Sequence, residues 1–352
     1  MKHSTRKTAR NTIGVDIGDR DSSFYVLDPK GEFVDSGRIP TRIDAFRKFF
    51  SSVEPSIVAL ETGTHSLWIT WLLEDLGHEV LLANARELRM IFESKKKNDK
   101  IDAQTLCRAA RFDRKLLHLV KPRTKECHAD LMTLRSRSQL VKARSQLVLH
   151  VRGAVKSFGE RVPACSAEAF HHIAPDHVPG ELSFALKPIL TTIADLTKRI
   201  RVFDRRIERE LADKYPETKR LRQVPGVGPI TALFFVLLIC DPERFRRSRY
   251  VGSYVGLAPR LDQSGKSDRQ CRITKAGDDS LRTLLVSCAQ YILGRHGPDS
   301  DLRRFGQGIC QRGGKNAKKR AAVAVARKVA VLLHRLWITG ATYEPLRNSR
   351  CA

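Results

Sequence analysis

The sequence predicts an α/β N-terminal domain followed by two mainly helical parts. Three observations carry that prediction: short apolar runs alternate with helix signals up to residue 112, a heptad-like stripe lies between residues 122 and 215, and helical patterning dominates thereafter. Residues 12–18 form a short apolar run broken by glycine, as a buried strand is. Residues 23–28 and 32–34 read as two more strands, separated by the turn signal Pro29-Lys30-Gly31. A helix over residues 43–50 leads to a strand over 56–61, and a helix over 66–76 precedes a strand over 79–83. Three meandering strands followed by α/β alternation is the order of an RNase H-like sheet. The first domain is placed at residues 1–121.

The middle part, residues 122–215, changes period. Leu134, Val141, Val148 and Val155 recur every seven residues. After a looser stretch holding Pro163, Pro175 and Pro179, a second stripe runs Ile189, Ile193, Leu196, Ile200, Phe203, Ile207, Leu211. Its steps of four and three are an a/d seam with Arg, Lys and Glu outside it. Two such helices form either an antiparallel hairpin within the chain or a coiled coil between chains.

Residues 216–352 form a third, mostly helical part. It opens on Val224-Pro225-Gly226-Val227-Gly228-Pro229, the pattern of a helix-hairpin-helix. In such a turn Gly226 and Gly228 permit a tight backbone whose N–H groups face a phosphate, reading nucleic-acid backbone rather than sequence. The alternative is a tight turn between helices with no ligand.

Composition narrows the partner. The chain has 352 residues, with 64 Lys+Arg against 38 Asp+Glu, a formal net charge of +26. That excess favours a polyanion, and nucleic acid ahead of an acidic membrane surface or charge kept for solubility. The charge is also uneven: from Leu302 to Tyr343 there are ten Lys/Arg and no acid, with Lys315, Lys318, Lys319 and Arg320 close together. Residues 321–337 within that run have the apolar content of a packed helix, so one face is expected to meet phosphate. No apolar run approaches the ~20 residues of a membrane span, and the basic N-terminus lacks the core of a signal peptide, so a cytoplasmic location is expected. The eight cysteines form no CxxC pair, which argues against both a zinc site and a disulfide framework.

Four carboxylates stand out, two of them on strands, where a charge is costly. Asp16 interrupts the first apolar run, and Glu61 ends the fourth strand. Asp99 and Asp102 lie three apart at the start of a helix and so share a face. Singly, each has an ordinary explanation as a helix-start or strand-end charge. Together on one sheet they can converge, and hard oxygen ligands of this kind hold Mg²⁺, two ions ~4 Å apart serving attacking and leaving oxygens on phosphate.

The order of motifs resembles the insertion-sequence transposases of the IS-one-ten group, the bridge-RNA-guided recombinases. The pieces are Gly14-Val15-Asp16-Ile17-Gly18, Leu60-Glu61-Thr62-Gly63 and Asn98-Asp99-Lys100-Ile101-Asp102-Ala103. They continue with Pro225-Gly226-Val227-Gly228, Gly256-Leu257-Ala258-Pro259, Gln263-Ser264-Gly265-Lys266, Ile273-Thr274-Lys275-Ala276-Gly277 and Leu281-Arg282. The resemblance implies a RuvC-like domain with Asp16, Glu61, Asp99 and Asp102 as a metal-binding tetrad for two Mg²⁺ ions. It implies Ser264 as the nucleophile of a C-terminal serine transposase domain, forming a phosphoserine link to a DNA end. Arg260, Lys266, Arg269, Arg272 and Lys275 lie near Ser264 and are candidates for the scissile phosphate or a guide RNA. The implied partners are donor and target duplex DNA, a bridge RNA and further copies of the chain, dimer to tetramer, in a prokaryotic nucleoid.

Rival readings fare worse. The Gly-Val-Asp-Ile-Gly start also opens actin-like sugar kinases, but no further glycine-rich phosphate loop follows. Gly313-Gly314-Lys315-Asn316 fails the Walker spacing, with Asn where Ser or Thr should stand. A RuvC-like Holliday-junction endonuclease, hydrolysing with the tetrad alone, leaves Ser264 unexplained. A non-catalytic binding protein has no need of four carboxylates.

Overall fold

The computed structural model describes residues 10–85, 99–264 and 267–348. The chain divides into two compact units, residues 1–125 and 126–352. The expected boundary after residue 121 falls four residues before that junction, and both helical parts lie in the second unit.

The first unit is built on a five-stranded sheet. Its strands are β1 (Thr12–Asp16), β2 (Asp21–Leu27), β3 (Phe33–Pro40), β4 (Ile57–Glu61) and β5 (Glu79–Ala83). They lie in the order β3-β2-β1-β4-β5. The first three run antiparallel, while β4 is parallel to β1 and β5 to β4. This is the meander followed by crossovers that the sequence predicts. Helices α1 (Ile43–Ser51) and α2 (Ser66–Asp75) supply the crossovers.

Alternation along the strands sorts the two faces. Ile13 and Val15 of β1 and Val58 and Leu60 of β4 join Phe46, Phe50, Ile69 and Leu73 in one core. The opposite face carries small residues, Gly14, Ala59 and Ala83, and α3 (Asp99–Phe112) lies against it. The approach is close. A Cβ on Gly14 would come within 2.1 Å of the Ala103 carbonyl oxygen and 2.6 Å of the Cys107 nitrogen. The Cys107 Sγ donates to the Thr12 carbonyl at 3.1 Å, and burial pushes its thiol pKa up to about 11. Replacing Gly14 with alanine is therefore expected to cost about 1–3 kcal/mol by forcing α3 off the sheet. Urea denaturation should show a lower midpoint at unchanged slope. Wild-type stability would mean that α3 docks elsewhere.

The sequence extends the first strand to Gly18, whereas β1 ends at Asp16. The antiparallel ladder with β2 closes at Asp16–Ser23, and the chain turns through Asp19 and Arg20. Asp16 is thus a half-buried residue at the strand's C-terminal end, not an interior one.

The second unit is mostly helical. Two long helices, α4 (Lys125–Ser157) and α5 (Ser183–Arg206), carry the two stripes. They run antiparallel, with Arg137 bonded to Asp204 and Arg144 to Thr197 (3.2 Å). Val148, Val151 and Val155 share a core with Leu186, Ile193 and Phe170. Ile200 is 1% exposed, so this part of the seam is filled within the chain. Of the two arrangements open to the stripes, the structure builds the intrachain hairpin.

The largest core surrounds α7 (Pro229–Ile239), in which every residue from Thr231 to Ile239 is buried. A helix apolar all round belongs at the centre of a bundle. Leu131 and Leu134 of α4, Ile207 and Leu211 after α5, α6 (Glu217–Leu221) and α8 (Arg249–Tyr254) pack around it. So do α9 (Asp279–Leu293) and α11 (Ala317–Thr339), with α10 (Asp301–Gln311) against α11. The Pro-Gly-Val-Gly turn joins α6 to α7. A Cβ on Gly226 would come within 3.0 Å of the Cys288 carbonyl oxygen and the Tyr291 ring, whereas Gly228 has open space where a Cβ would point. Among the described residues no helix is long and apolar enough to cross a membrane.

Candidate active site and nucleic-acid groove

Two acidic residues end adjacent strands of the sheet, and the backbone explains why. Val15 pairs with Leu60 in the parallel β1–β4 ladder, so Asp16 and Glu61 follow side by side at the strands' C-terminal ends. Each lies two residues beyond a small residue on the α3 face, Gly14 or Ala59, and period two puts both on that face.

Helix α3 completes the edge. Ala103 lies against Gly14 and Cys107 against Thr12, so α3 runs antiparallel to β1. From Gly14 to Asp16 the strand advances roughly 7 Å, which a helix covers in about four residues. Counting back from Ala103 reaches Asp99, level with Asp16. Asp102 precedes the sheet-facing Leu106 by one turn and is half-buried. The four positions therefore share one end of one sheet face. The side chain of Asp99 lies outside the described residues. Among the described residues no group of three or more His, Cys, Asp or Glu is drawn together tightly enough to hold a metal ion. The donor set is nonetheless all carboxylate oxygen, which suits a hard divalent cation.

Two residues for which the sequence gives no signal stand at this edge. His65, four residues beyond Glu61, lies with its Nε2 3.5 Å from Asp19 Oδ1. The Trp68 indole N–H donates to His65 Nδ1 at 3.1 Å, which leaves the imidazole proton on Nε2, toward Asp19. No spacing rule in the sequence marks this pair.

Ser264 belongs to the second unit. It ends β6 (Pro259–Ser264), which pairs antiparallel with β7 (Ser267–Ile273), Ser264 opposite Ser267. Ser264 is thus at the tip of a hairpin, where the sequence suggests only a turn in a helical part. The quoted motifs build the hairpin's base. Gly256, at φ +72°, comes so close to the 275–277 backbone that a Cβ would lie 2.7 Å from the Ala276 nitrogen. The Thr274 N–H donates to the Ala258 carbonyl, and the Lys275 N–H to that of Gly256. Arg282 donates to the carbonyls of Val255 and Gly277 and pairs with Asp279 at 2.8 Å. Lys266 and the side chains of Ser264 and Arg269 lie outside the described residues.

Beside the hairpin base a cavity of about 1220 Å³ opens within the second unit. It gathers Arg272 and Lys275 from the β7 side and Lys319 and Arg320 from α11, four of the cations singled out from sequence. Arg260 and Lys318 are exposed but do not line it. Arg327 and Arg335, not singled out from sequence, line it as well. Helix α11 buries Ala321, Ala322, Val325, Val329 and Leu333 and turns its cationic face to the cavity, as its composition predicts.

A mixed five-stranded sheet with crossover helices, followed by a mostly helical unit, is consistent with a DEDD-type, nuclease-like class of protein. Residues 13–159 match the family described as Transposase, of DEDD type in the IS110 group, and residues 218–305 match Transposase IS116/IS110/IS902 family. The chain is 34% identical over 84% of its length to the y4pF/y4sB transposase-type protein of Sinorhizobium fredii, covering 76% of that protein. It is 30% identical over 80% of its length to the transposase for insertion sequence element IS1328 of Yersinia enterocolitica, covering 84%. It is 27% identical over 94% to the transposase for IS1111A of Coxiella burnetii, covering 91%. The chain belongs to the IS116/IS110/IS902 family of insertion-sequence transposases. DNA strand transfer is the general activity of such proteins, and DEDD-type domains in general use a divalent metal.

Proposed function

We propose that this transposase cuts and rejoins DNA with an RNase H-like metal site and a serine nucleophile, guided by a bridge RNA. The observation that supports the reading is the antiparallel docking of α3, which turns the helix end holding Asp99 and Asp102 toward the strand ends at Asp16 and Glu61. Those four carboxylates would hold Mg²⁺, two ions, whose charge when bound offsets that of a phosphodiester. The hydroxyl of Ser264 attacks phosphorus. An O–P bond forms to serine as the bond to the leaving strand oxygen breaks; the serine proton passes to a base, and the leaving oxygen takes up a proton. The phosphoserine keeps the diester's free energy, so a second strand's hydroxyl can reverse the step and reseal DNA without a nucleotide cofactor. A position at the end of paired strands suits the nucleophile because backbone pairing fixes where the residue stands.

Reconstitution tests the whole reading. Purified protein, RNA transcribed from DNA flanking the gene, donor and target duplexes and Mg²⁺ should yield a recombinant joint. Omitting the RNA or adding a chelator should abolish it. Joints formed without RNA overturn guidance, and joints formed in excess chelator overturn the metal.

The cationic cavity leads to a further expectation. Converting Lys319 and Arg320 together to glutamate should weaken nucleic-acid binding and flatten its salt dependence. Every phosphate that is no longer neutralised lowers the log–log slope by ~0.7–0.9. An unchanged slope in a salt titration would make these residues a solvated helix face.

A further inference from the structure

The cavity beside the hairpin is more than a cationic surface. Ten of its lining side chains are Lys or Arg and two, Asp301 and Glu344, are acidic, so the lining favours an anion. A second copy of this chain, itself at +26, is a poor candidate. Its floor, however, is apolar: Leu257, Val323, Leu332 and Leu336 line it together with Phe305. Phosphate has no use for such a floor. Phe305 is 38% exposed, with the Lys328 ammonium 4.2 Å from its ring centroid. An aromatic face and a cation side by side match the base and phosphate of one nucleotide. A base can displace the ammonium from the ring while the ammonium moves to the phosphate.

We propose that this cavity binds an unpaired nucleic-acid segment, stacking a base on Phe305 and holding the flanking phosphates with its ring of Lys and Arg. A duplex keeps its base faces in its own stack and offers the cavity only phosphate, so the apolar floor selects single strands. The inference rests on the nucleic-acid reading above and names which form of nucleic acid the cavity takes. Unpaired RNA and unpaired DNA share this chemistry.

The test uses the full-length protein and fluorescence anisotropy with three labelled probes: a 12-nucleotide RNA, a DNA of the same sequence, and the corresponding duplex DNA. Phe305→Ala should weaken binding of unpaired strands about tenfold and leave the duplex unchanged, while Phe305→Trp should keep wild-type affinity. Comparison of the RNA and DNA arms identifies which strand is preferred. Circular dichroism controls for folding, which a partly exposed ring should not disturb. Equal loss on single strand and duplex, or no loss on either unpaired probe, overturns the stacking proposal. If Lys319→Glu with Arg320→Glu also leaves all three probes bound as before, the nucleic-acid reading of the cavity fails with it. If the charge variant weakens binding and Phe305→Ala does not, only the unpaired-strand inference fails.

Discussion

Asp16→Asn and Asp102→Asn are each expected to abolish recombination while the chain stays folded. Ligation of a divalent cation needs anionic oxygen, and asparagine keeps the shape of aspartate without the charge. The positions are not interchangeable with ordinary surface acids. Asp16 closes β1 beside the end of β4, and Asp102 lies in the first turn of α3, one turn before a residue packed on the sheet. Both are half-buried, and asparagine fills the same volume, so the fold should hold. The expected loss of activity is at least a thousandfold, read in a plasmid recombination assay alongside circular dichroism. Near wild-type activity in both variants would remove the tetrad from the mechanism. Glu61→Gln offers an independent check, since it reaches the same edge from a different strand.

Ser264→Ala should still bind RNA and DNA but leave no covalent protein–DNA adduct. The hydroxyl is the only group removed, and the Ser264–Ser267 pairing at the hairpin tip uses backbone alone. A suicide substrate, nicked beside the cleavage point so that the freed end diffuses away, should trap the adduct with wild-type protein. The trapped species should survive denaturing electrophoresis and disappear on nuclease digestion. Mass spectrometry should place the residual nucleotide on the peptide containing Gln263-Ser264-Gly265. A two-metal nuclease uses water as nucleophile, so cutting that survives Ser264→Ala would favour hydrolysis by the tetrad alone.

Much of this is legible in the chain itself. A carboxylate within or at the end of an apolar run is costly unless something compensates it, which draws attention to Asp16 and Glu61, although each alone also has an ordinary explanation. The spacing of Asp99 and Asp102 fixes them on one helical face wherever the helix lies. The succession of strands and helices follows from the turn at Pro29-Lys30-Gly31 and the helix–strand alternation after it. The charge imbalance, and its concentration between Leu302 and Tyr343, needs only counting.

Other features are long-range and cannot be read locally. Nothing in residues 99–112 states that this helix lies antiparallel to β1; the fit of Ala103 and Cys107 onto Gly14 and Thr12 decides it, across ~90 residues of chain. That fit brings the pairs Asp16–Glu61 and Asp99–Asp102 to the same end. The seam through Ile200 has the same period whether its partner is another chain or another segment, and only packing on α4 chooses the second. The hairpin that carries Ser264 is hidden because its strands are polar and lack apolar alternation; its base is set by backbone contacts from Gly256 to Ala276. The cavity draws Arg272, Phe305 and Arg327 from three separate elements. Sequence determines which residues carry charge and which must be buried, because those are properties of single side chains and local periods. Tertiary structure decides which of them meet, because that depends on shapes matching between segments far apart in the chain.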